Sequence, residues 1–308
     1  MAGGHGGRQQ AGVTVLIRHR TLTIEGNRIF FREAGHVDAP TLVLLHGYPS
    51  SSHSFRHLIP LLEDRFHLVA PDLLGFGFSE APAPSRFRYT FHALAEIVDK
   101  LLQSLNLQRY SLYMHDYGGP VGLRLATAHP ERVRALIFQN ANSYMEGVSP
   151  AVAELFLPLW RERNAGTEAA ARAFMTAEAT KGQYLSGTPE PEALGPEGWT
   201  LDQALLERSG QDELQLALFC DYQTNVALYD AWHAWFREYR PPALVVWGKN
   251  DPFFTVAGAE AYRKDLPEAE VHLLDAGHFA QETHAREIAA RIRFFADRVT
   301  AAGKEVRP

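Results

Sequence analysis

A chain of 308 residues, 46% hydrophobic and 21% charged, has the material for a large buried core, either as one domain with an insertion or as two. A formal net charge of −6 with no lysine- or arginine-rich block excludes the basic field that nucleic-acid binding requires. The lone cysteine, Cys220, cannot form an internal disulfide, and no apolar run approaches the ~20 residues of a membrane helix.

Residues 1–12 are Gly-rich and lack the apolar core of a secretion signal, so they are expected to be a disordered tail on a cytoplasmic protein. Alternation of apolar and polar residues over 13–31, around Glu25-Gly26-Asn27, predicts two antiparallel strands. The apolar run 41–45 reads as a strand covered on both faces, followed by His46-Gly47-Tyr48-Pro49 and a helix from the serines at 50–52 through 62. A second buried strand, 67–70, leads into Pro71-Asp72 and a loop with Gly75, Gly77 and Ser79. Helical spacing over 91–105 precedes a β-type run at 109–113, a helix from 120 to 128 and a strand at 133–138. Such alternation implies right-handed crossovers and a mostly parallel twisted sheet with helices on both faces, an α/β fold.

The pattern breaks at residues 140–240, which hold no buried-strand run but many helix formers, and dense aromatics near their end, among them Tyr222, Tyr229, Trp232 and Trp235. We read this as a helical cap inserted into the core domain (13–139 and 241–300) and roofing the C-terminal edge of its strands. The core resumes with a strand at 243–247, a helix at 257–264, a strand at 271–274 and a helix at 282–299; residues 301–308 read as a second tail.

The chemistry concentrates at strand ends. Tyr113-Met114-His115-Asp116-Tyr117-Gly118-Gly119 has the layout of a nucleophile elbow, with Asp116 raised at the strand-to-helix joint. A carboxylate is ionised at neutral pH and attacks carbon without first losing a proton. The plainer alternative is an Asp that caps the following helix. Asp251, in Gly248-Lys249-Asn250-Asp251-Pro252, and His278, in Ala276-Gly277-His278, fall just past the ends of the next two strands. Singly, each is an ordinary turn residue. Together they give the order nucleophile, acid, histidine at one sheet edge, which points to a catalytic set. The N–H groups of Tyr48 and Tyr117 are expected to form an oxyanion hole. His46 and His115 read as structural, and no histidine pair has the spacing of a metal site, so neither metal nor cofactor is expected.

On these motifs the chain resembles the α/β-hydrolase superfamily, and within it the Asp-nucleophile branch of epoxide hydrolases and haloalkane dehalogenases, over residues 13–299. The resemblance implies attack of Asp116 on an sp³ carbon, then hydrolysis of the resulting ester by water that His278, oriented by Asp251, deprotonates. Dehalogenases place an indole directly after the nucleophile to hold halide; this chain has Tyr117 there, and Tyr48 nearby. Epoxide hydrolases use cap tyrosines as acids over the ring oxygen, for which Tyr229 is the first choice, Tyr184 the second and Tyr144 a competitor. The expected activity is therefore epoxide hydrolysis to a vicinal diol, with haloalkane dehalogenation as the alternative and a non-catalytic binding protein as the reading from another class. The expected partners are a small apolar electrophile and water, without nucleic acid or membrane; a homodimer through an apolar cap surface stays open.

Overall fold

A computed structural model describes residues 16–301 of the chain. The predicted N-terminal tail, residues 13–15 of the first predicted strand and residues 302–308 lie outside the described residues. Strands β1 (Arg18–Ile24) and β2 (Asn27–Ala34) form an antiparallel hairpin. Its two-residue loop places Glu25 and Gly26 at φ 50° and 78°, the left-handed geometry that suits a tight hairpin turn. There follow β3 (Thr41–Leu45), β4 (His67–Pro71), helix α1 (Phe91–Ser104), β5 (Tyr110–His115), α2 (Gly118–Ala128) and β6 (Val133–Gln139).

Seven helices come between β6 and the next strand: α3 (Pro150–Arg161), α4 (Ala165–Ala173), α5 (Ala177–Leu185), α6 (Glu197–Leu206), α7 (Gln211–Asp221), α8 (Gln223–Val226) and α9 (Tyr229–Tyr239). Then come β7 (Ala243–Gly248), α10 (Val256–Asp265), β8 (Glu270–Leu274), α11 (Ala280–Thr283) and α12 (Ala285–Ala301). The eight strands make one sheet in the order β1-β2-β4-β3-β5-β6-β7-β8, parallel from β4 through β8 and antiparallel at β1 and β2.

Side chains alternate across the sheet, as strand geometry requires. Val43, Leu45, Leu112, Met114, Val245 and Trp247 face the larger core that includes α1 and α2. Leu42, Leu44, Tyr113, Ile137, Leu244 and Val246 face the other, against Ile288, Ile292 and Phe295 of α12. This two-sided cover explains why β3, β4 and β7 are uninterrupted apolar runs.

Two predicted helices differ. Residues 50–62 form only two 3₁₀ turns, Ser52–Phe55 and Ile59–Leu61. The Ser51 hydroxyl caps the first turn, and Pro60 has no N–H with which to continue an α-helix. The last helix is broken at His284, between α11 and α12. Among the described residues no helix is long and apolar enough to cross a membrane.

Candidate active site

The turn after β5 holds Asp116 at φ 48°, a left-handed conformation that costs an L-residue roughly 1–2 kcal/mol and persists only where the surroundings enforce it. The enforcement comes from glycines. A Cβ on Gly118 would overlap the Leu45 carbonyl, and one on Gly122 the Met114 side chain, so only glycine lets α2 press this closely on β3 and β5. A Cβ on Gly47 would in turn overlap the Asp116 carboxyl group. The loop after β3 therefore reaches the carboxylate, and the Tyr48 N–H donates to Asp116 Oδ1 at 2.6 Å. The Tyr117 N–H is directed at the same carboxylate. Burial pushes the Asp116 carboxyl above its ordinary pKa, against the opposing pull of His278 and of these two donors.

His278 Nδ1 lies 2.8 Å from Asp251 Oδ2. Burial alone would lower the imidazole pKa, but the Asp251 charge, its hydrogen bond and the Asp116 charge together hold it above its ordinary value. Asp251 is fixed by two further donors, Asn140 Nδ2 to Oδ2 at 2.7 Å and the Phe253 N–H to Oδ1 at 2.7 Å. Asn140, itself at φ 44°, has its amide orientation set by the Gly248 N–H, which donates to its Oδ1 at 2.9 Å. Asn140 was not singled out from the sequence. The available signal was a polar Gln139-Asn140 pair closing an apolar strand at the edge where Asp116, Asp251 and His278 sit.

The two neighbouring histidines brace loops. His46 Nδ1 donates to the Gly47 carbonyl at 3.0 Å and its Nε2 accepts from the Leu73 N–H at 2.9 Å, which fixes a neutral tautomer. His115 is buried, and its Nε2 donates to the His278 carbonyl at 3.1 Å. Gln139 Nε2 donates to the same carbonyl at 3.0 Å, so the His278 loop is held from two strand ends.

Above these groups the helical insert closes a cavity of ≈590 Å³, its mouth included. Its walls are largely apolar, with Val152, Phe156, Phe174, Phe219, Phe253 and Phe254 among them. Tyr48, Tyr117, Tyr222 and Gln183 line it beside Asp116 and His278, and the Tyr48 hydroxyl donates to the Phe174 carbonyl at 3.1 Å. None of the three tyrosines chosen from the sequence as acids lines this space. The Tyr229 hydroxyl is buried, where it meets Tyr222 and, at 3.5 Å, Asn142 Nδ2. Tyr184 donates to Asp202, while its ring stacks on Phe279 with centroids 4.0 Å apart. Tyr144 donates to Asp265 Oδ2 at 2.9 Å.

The tyrosine of the insert that lines the cavity with Asp116 is Tyr222. It is pinned on both sides: Asp221 Oδ2 accepts the Phe91 N–H at 2.8 Å, and Arg124 of α2 donates to Asn225 Oδ1 at 2.6 Å and Thr224 Oγ1 at 3.1 Å. Trp160 stacks parallel to the Tyr222 ring with centroids 6.0 Å apart. Its indole Nε1 donates to the Phe219 carbonyl at 2.8 Å and is thereby occupied. No group of three or more His, Cys, Asp and Glu residues with metal-binding geometry occurs among the described residues.

An α/β sheet with this elbow, acid and histidine at one edge defines a hydrolase architecture. The family model described as "alpha/beta hydrolase fold" matches residues 40–285, and the chain belongs to that family. It is 42% identical, over 277 residues (89% of this chain and 95% of the relative), to an uncharacterized hydrolase of Saccharomyces cerevisiae. A cis-3-alkyl-4-alkyloxetan-2-one decarboxylase of Shewanella oneidensis is 26% identical over 302 residues, 93% of this chain and 91% of the relative. Among solved structures, the haloalkane dehalogenase DbeA of Bradyrhizobium elkani superposes with TM-score 0.77 at 25% identity, over 94% of this chain and 99% of that one. The epoxide hydrolase CorEH, at 21% identity, superposes with TM-score 0.73 over 92% and 99%, a likeness of fold.

Proposed function

We propose that this hydrolase opens epoxides to vicinal diols through a covalent ester on Asp116, with the insert acting as a cap over the site. The observation that carries the reading is the pairing of a carboxylate held by two N–H donors with a cap phenol, Tyr222, facing the same cavity. With Oδ1 engaged by the Tyr48 N–H, the other carboxylate oxygen attacks a ring carbon. The ring C–O bond breaks and its electron pair goes to oxygen. An alkoxide is a poor leaving group unless protonated, and the Tyr222 hydroxyl, kept protonated by burial, supplies that proton.

In the second step water gives a proton to His278 Nε2 and its oxygen bonds to Cγ of Asp116. The resulting oxyanion lies on Oδ1, the atom already held by the Tyr48 N–H, with the Tyr117 N–H directed at the same carboxyl group. Collapse breaks the ester C–O bond, and the diol oxygen takes the proton from His278. The proton left on the Asp116 carboxyl returns through solvent to the Tyr222 phenolate, so epoxide plus water gives diol. Asp251 keeps His278 in the tautomer with a free Nε2.

Haloalkane dehalogenation is the second reading, favoured by the likeness to the Bradyrhizobium enzyme. Against it, the cavity's indole N–H is taken by the Phe219 carbonyl, which leaves the phenols Tyr117 and Tyr222 as the side-chain donors for halide. The Shewanella relative is named for an oxetanone, another strained oxygen ring, which suits ring opening. The lone Cys220 supports a reducing compartment such as the cytoplasm.

The test is intact-protein mass on His278→Gln, in which the ester persists, after incubation with epoxides or with bromoalkanes. A gain equal to a whole epoxide, lost when Asp116→Asn is added, is the expected result. A gain equal to the alkyl group alone, with bromide released and no epoxide adduct, would replace this reading by the second. The absence of any adduct would remove both and return a binding role to the front.

A further inference from the structure

Asp202, on α6, is fully buried where the insert meets the core, and the scheme above gives it no part. The Tyr184 hydroxyl of α5 donates to its Oδ2 and lies 3.5 Å from Ser50 Oγ, which adjoins the same carboxyl group. Ser50 closes the turn that carries the Tyr48 N–H, its own N–H donating to the Gly47 carbonyl at 3.0 Å. Arg56 lies nearby, but its Nη1 and Nη2 donate to the two carboxylate oxygens of Glu282 at 2.7 and 2.8 Å, so its charge is matched there. With no cation of its own, the buried Asp202 carboxyl holds its proton more tightly, and desolvation pushes its pKa up to about 7.

These contacts reach both groups that hydrolyse the ester. On one side Ser50 is two residues from Tyr48, whose N–H holds Asp116 Oδ1. On the other the Tyr184 ring stacks on Phe279, which directly follows His278, with centroids 4.0 Å apart. Just beyond Tyr184 the Ser186 carbonyl presses so closely on Gly277 that no Cβ fits there, and the Gly187 carbonyl accepts from Asn250 Nδ2 at 2.9 Å. Tyr222 is held elsewhere, by the bonds of Asp221 to the Phe91 N–H and of Arg124 to Asn225.

We propose that Asp202 is a positioning residue for the hydrolytic half of the cycle, fastening α5 and α6 to the loop of the Tyr48 N–H and, through Tyr184, to His278. The inference deepens the ester mechanism proposed above and rests on it. Charge develops on Asp116 Oδ1 only when water attacks the ester, and there loss of one aligned donor costs about 10²- to 10³-fold. A displacement of ~1 Å caused from a distance can cost about 10²-fold. Ester formation draws instead on a carboxylate that is already charged and on the separately anchored Tyr222, so it is less sensitive to the loop.

The test resolves the two half-reactions in the full chain. Quenched-flow mass spectrometry under saturating styrene oxide gives kcat and the fraction of enzyme carried as ester, from which the rate constants of ester formation and hydrolysis follow. Asp202→Leu is expected to slow hydrolysis at least about fivefold more than formation, so that ester accumulates as kcat falls. Partial unfolding would lower kcat without raising the ester fraction. Asp202→Asn, which has the shape of the neutral acid and can accept the Tyr184 bond, is expected to recover most of the loss. Should the Leu variant not fold, the double variant Ser50→Ala/Tyr184→Phe removes both hydroxyls and keeps the ring on Phe279, and it is held to the same criterion. A smaller difference between the two steps in the folded variant, or an Asn variant as slow as the Leu variant, would overturn the assignment. The same measurement with 1-bromobutane separates this inference from the reaction reading. An ester formed from the bromoalkane but not from styrene oxide would sink epoxide opening, and the comparison on that ester would still decide the part of Asp202. If neither gives an ester, both fall.

Discussion

Replacing Tyr222 by Phe removes one hydroxyl from the cavity and leaves the ring that packs on Trp160, Tyr117 and Phe91. If that hydroxyl delivers the proton to the departing oxygen, the cost is that of a general acid, about 10²- to 10⁴-fold, or ~3–5 kcal/mol of barrier. The hydroxyl also bonds to Tyr229, and loss of that bond costs about 1 kcal/mol of stability, a shift of a few degrees in Tm for a chain of this size. Misfolding therefore cannot imitate the kinetic effect. The assay is the rate of ester formation on the His278→Gln background, read as mass gain against time for a styrene-type epoxide and for a bromoalkane of matched size. Bromide needs no proton to leave, so its displacement should slow far less than epoxide opening. Tyr229→Phe serves as the control: it removes a partner of the Tyr222 hydroxyl without touching the cavity, and should cost about tenfold or less. Epoxide alkylation slowed less than about threefold in Tyr222→Phe, or more severely in Tyr229→Phe, would refute the assignment of the acid to Tyr222.

Two further outcomes follow from the electrostatics. Ester hydrolysis requires neutral His278, so activity falls as pH drops through the imidazole pKa; because that pKa is raised, the acid limb of kcat should lie above ~6.5, and Asp251→Asn, which removes the principal raising charge, should move it lower while reducing the rate. Buried Asp202, which accepts from Tyr184, has its pKa pushed up to about 7 by desolvation. The folded state then keeps a proton that the unfolded chain gives up near pH 4, so this group's contribution to stability declines as pH rises from about 4 to 7 and is flat above. Thermal unfolding of Asp202→Asn across that range should lose that part of the slope; an unchanged profile would contradict the assigned protonation.

The order of strands and the elbow were legible because each depends on local chemistry. Thr41–Leu45 and Ala243–Gly248 read as two-faced strands, and Gly118 and Gly119 directly behind Asp116 read as an elbow, where Gly118 does serve close helix–strand packing. The insert was legible as helical, but its interior contacts were not. Tyr222, between α7 and α8, and Tyr229, at the start of α9, are seven residues apart, and nothing in their spacing says which residue meets the cavity. That is decided by long-range bonds, Asp221 to the Phe91 N–H and Arg124 to Asn225, whose partners lie about a hundred residues or more apart in sequence.

The same contacts explain how the insert can serve the site without sharing its sheet. Arg124 projects from α2, the helix that begins two residues after the nucleophile, and its guanidinium lies over the faces of Phe91 and Trp232 while bonding Asn225 and Thr224. Burial lowers its pKa to about 10, so it stays a cation at neutral pH, and a buried cation tolerates little movement away from its acceptors. α2 thus starts just after Asp116 and anchors the Tyr222 segment about two helical turns later, while the end of α5 is clamped to the loops that carry Asp251 and His278. Asp116 and Tyr222 are referenced to α2; the end of α5 is referenced to the loops of Asp251 and His278. A change that loosens Arg124 should therefore misplace the acid for ring opening and leave the hydrolytic half of the cycle in register, because the two halves are tied to different parts of the core.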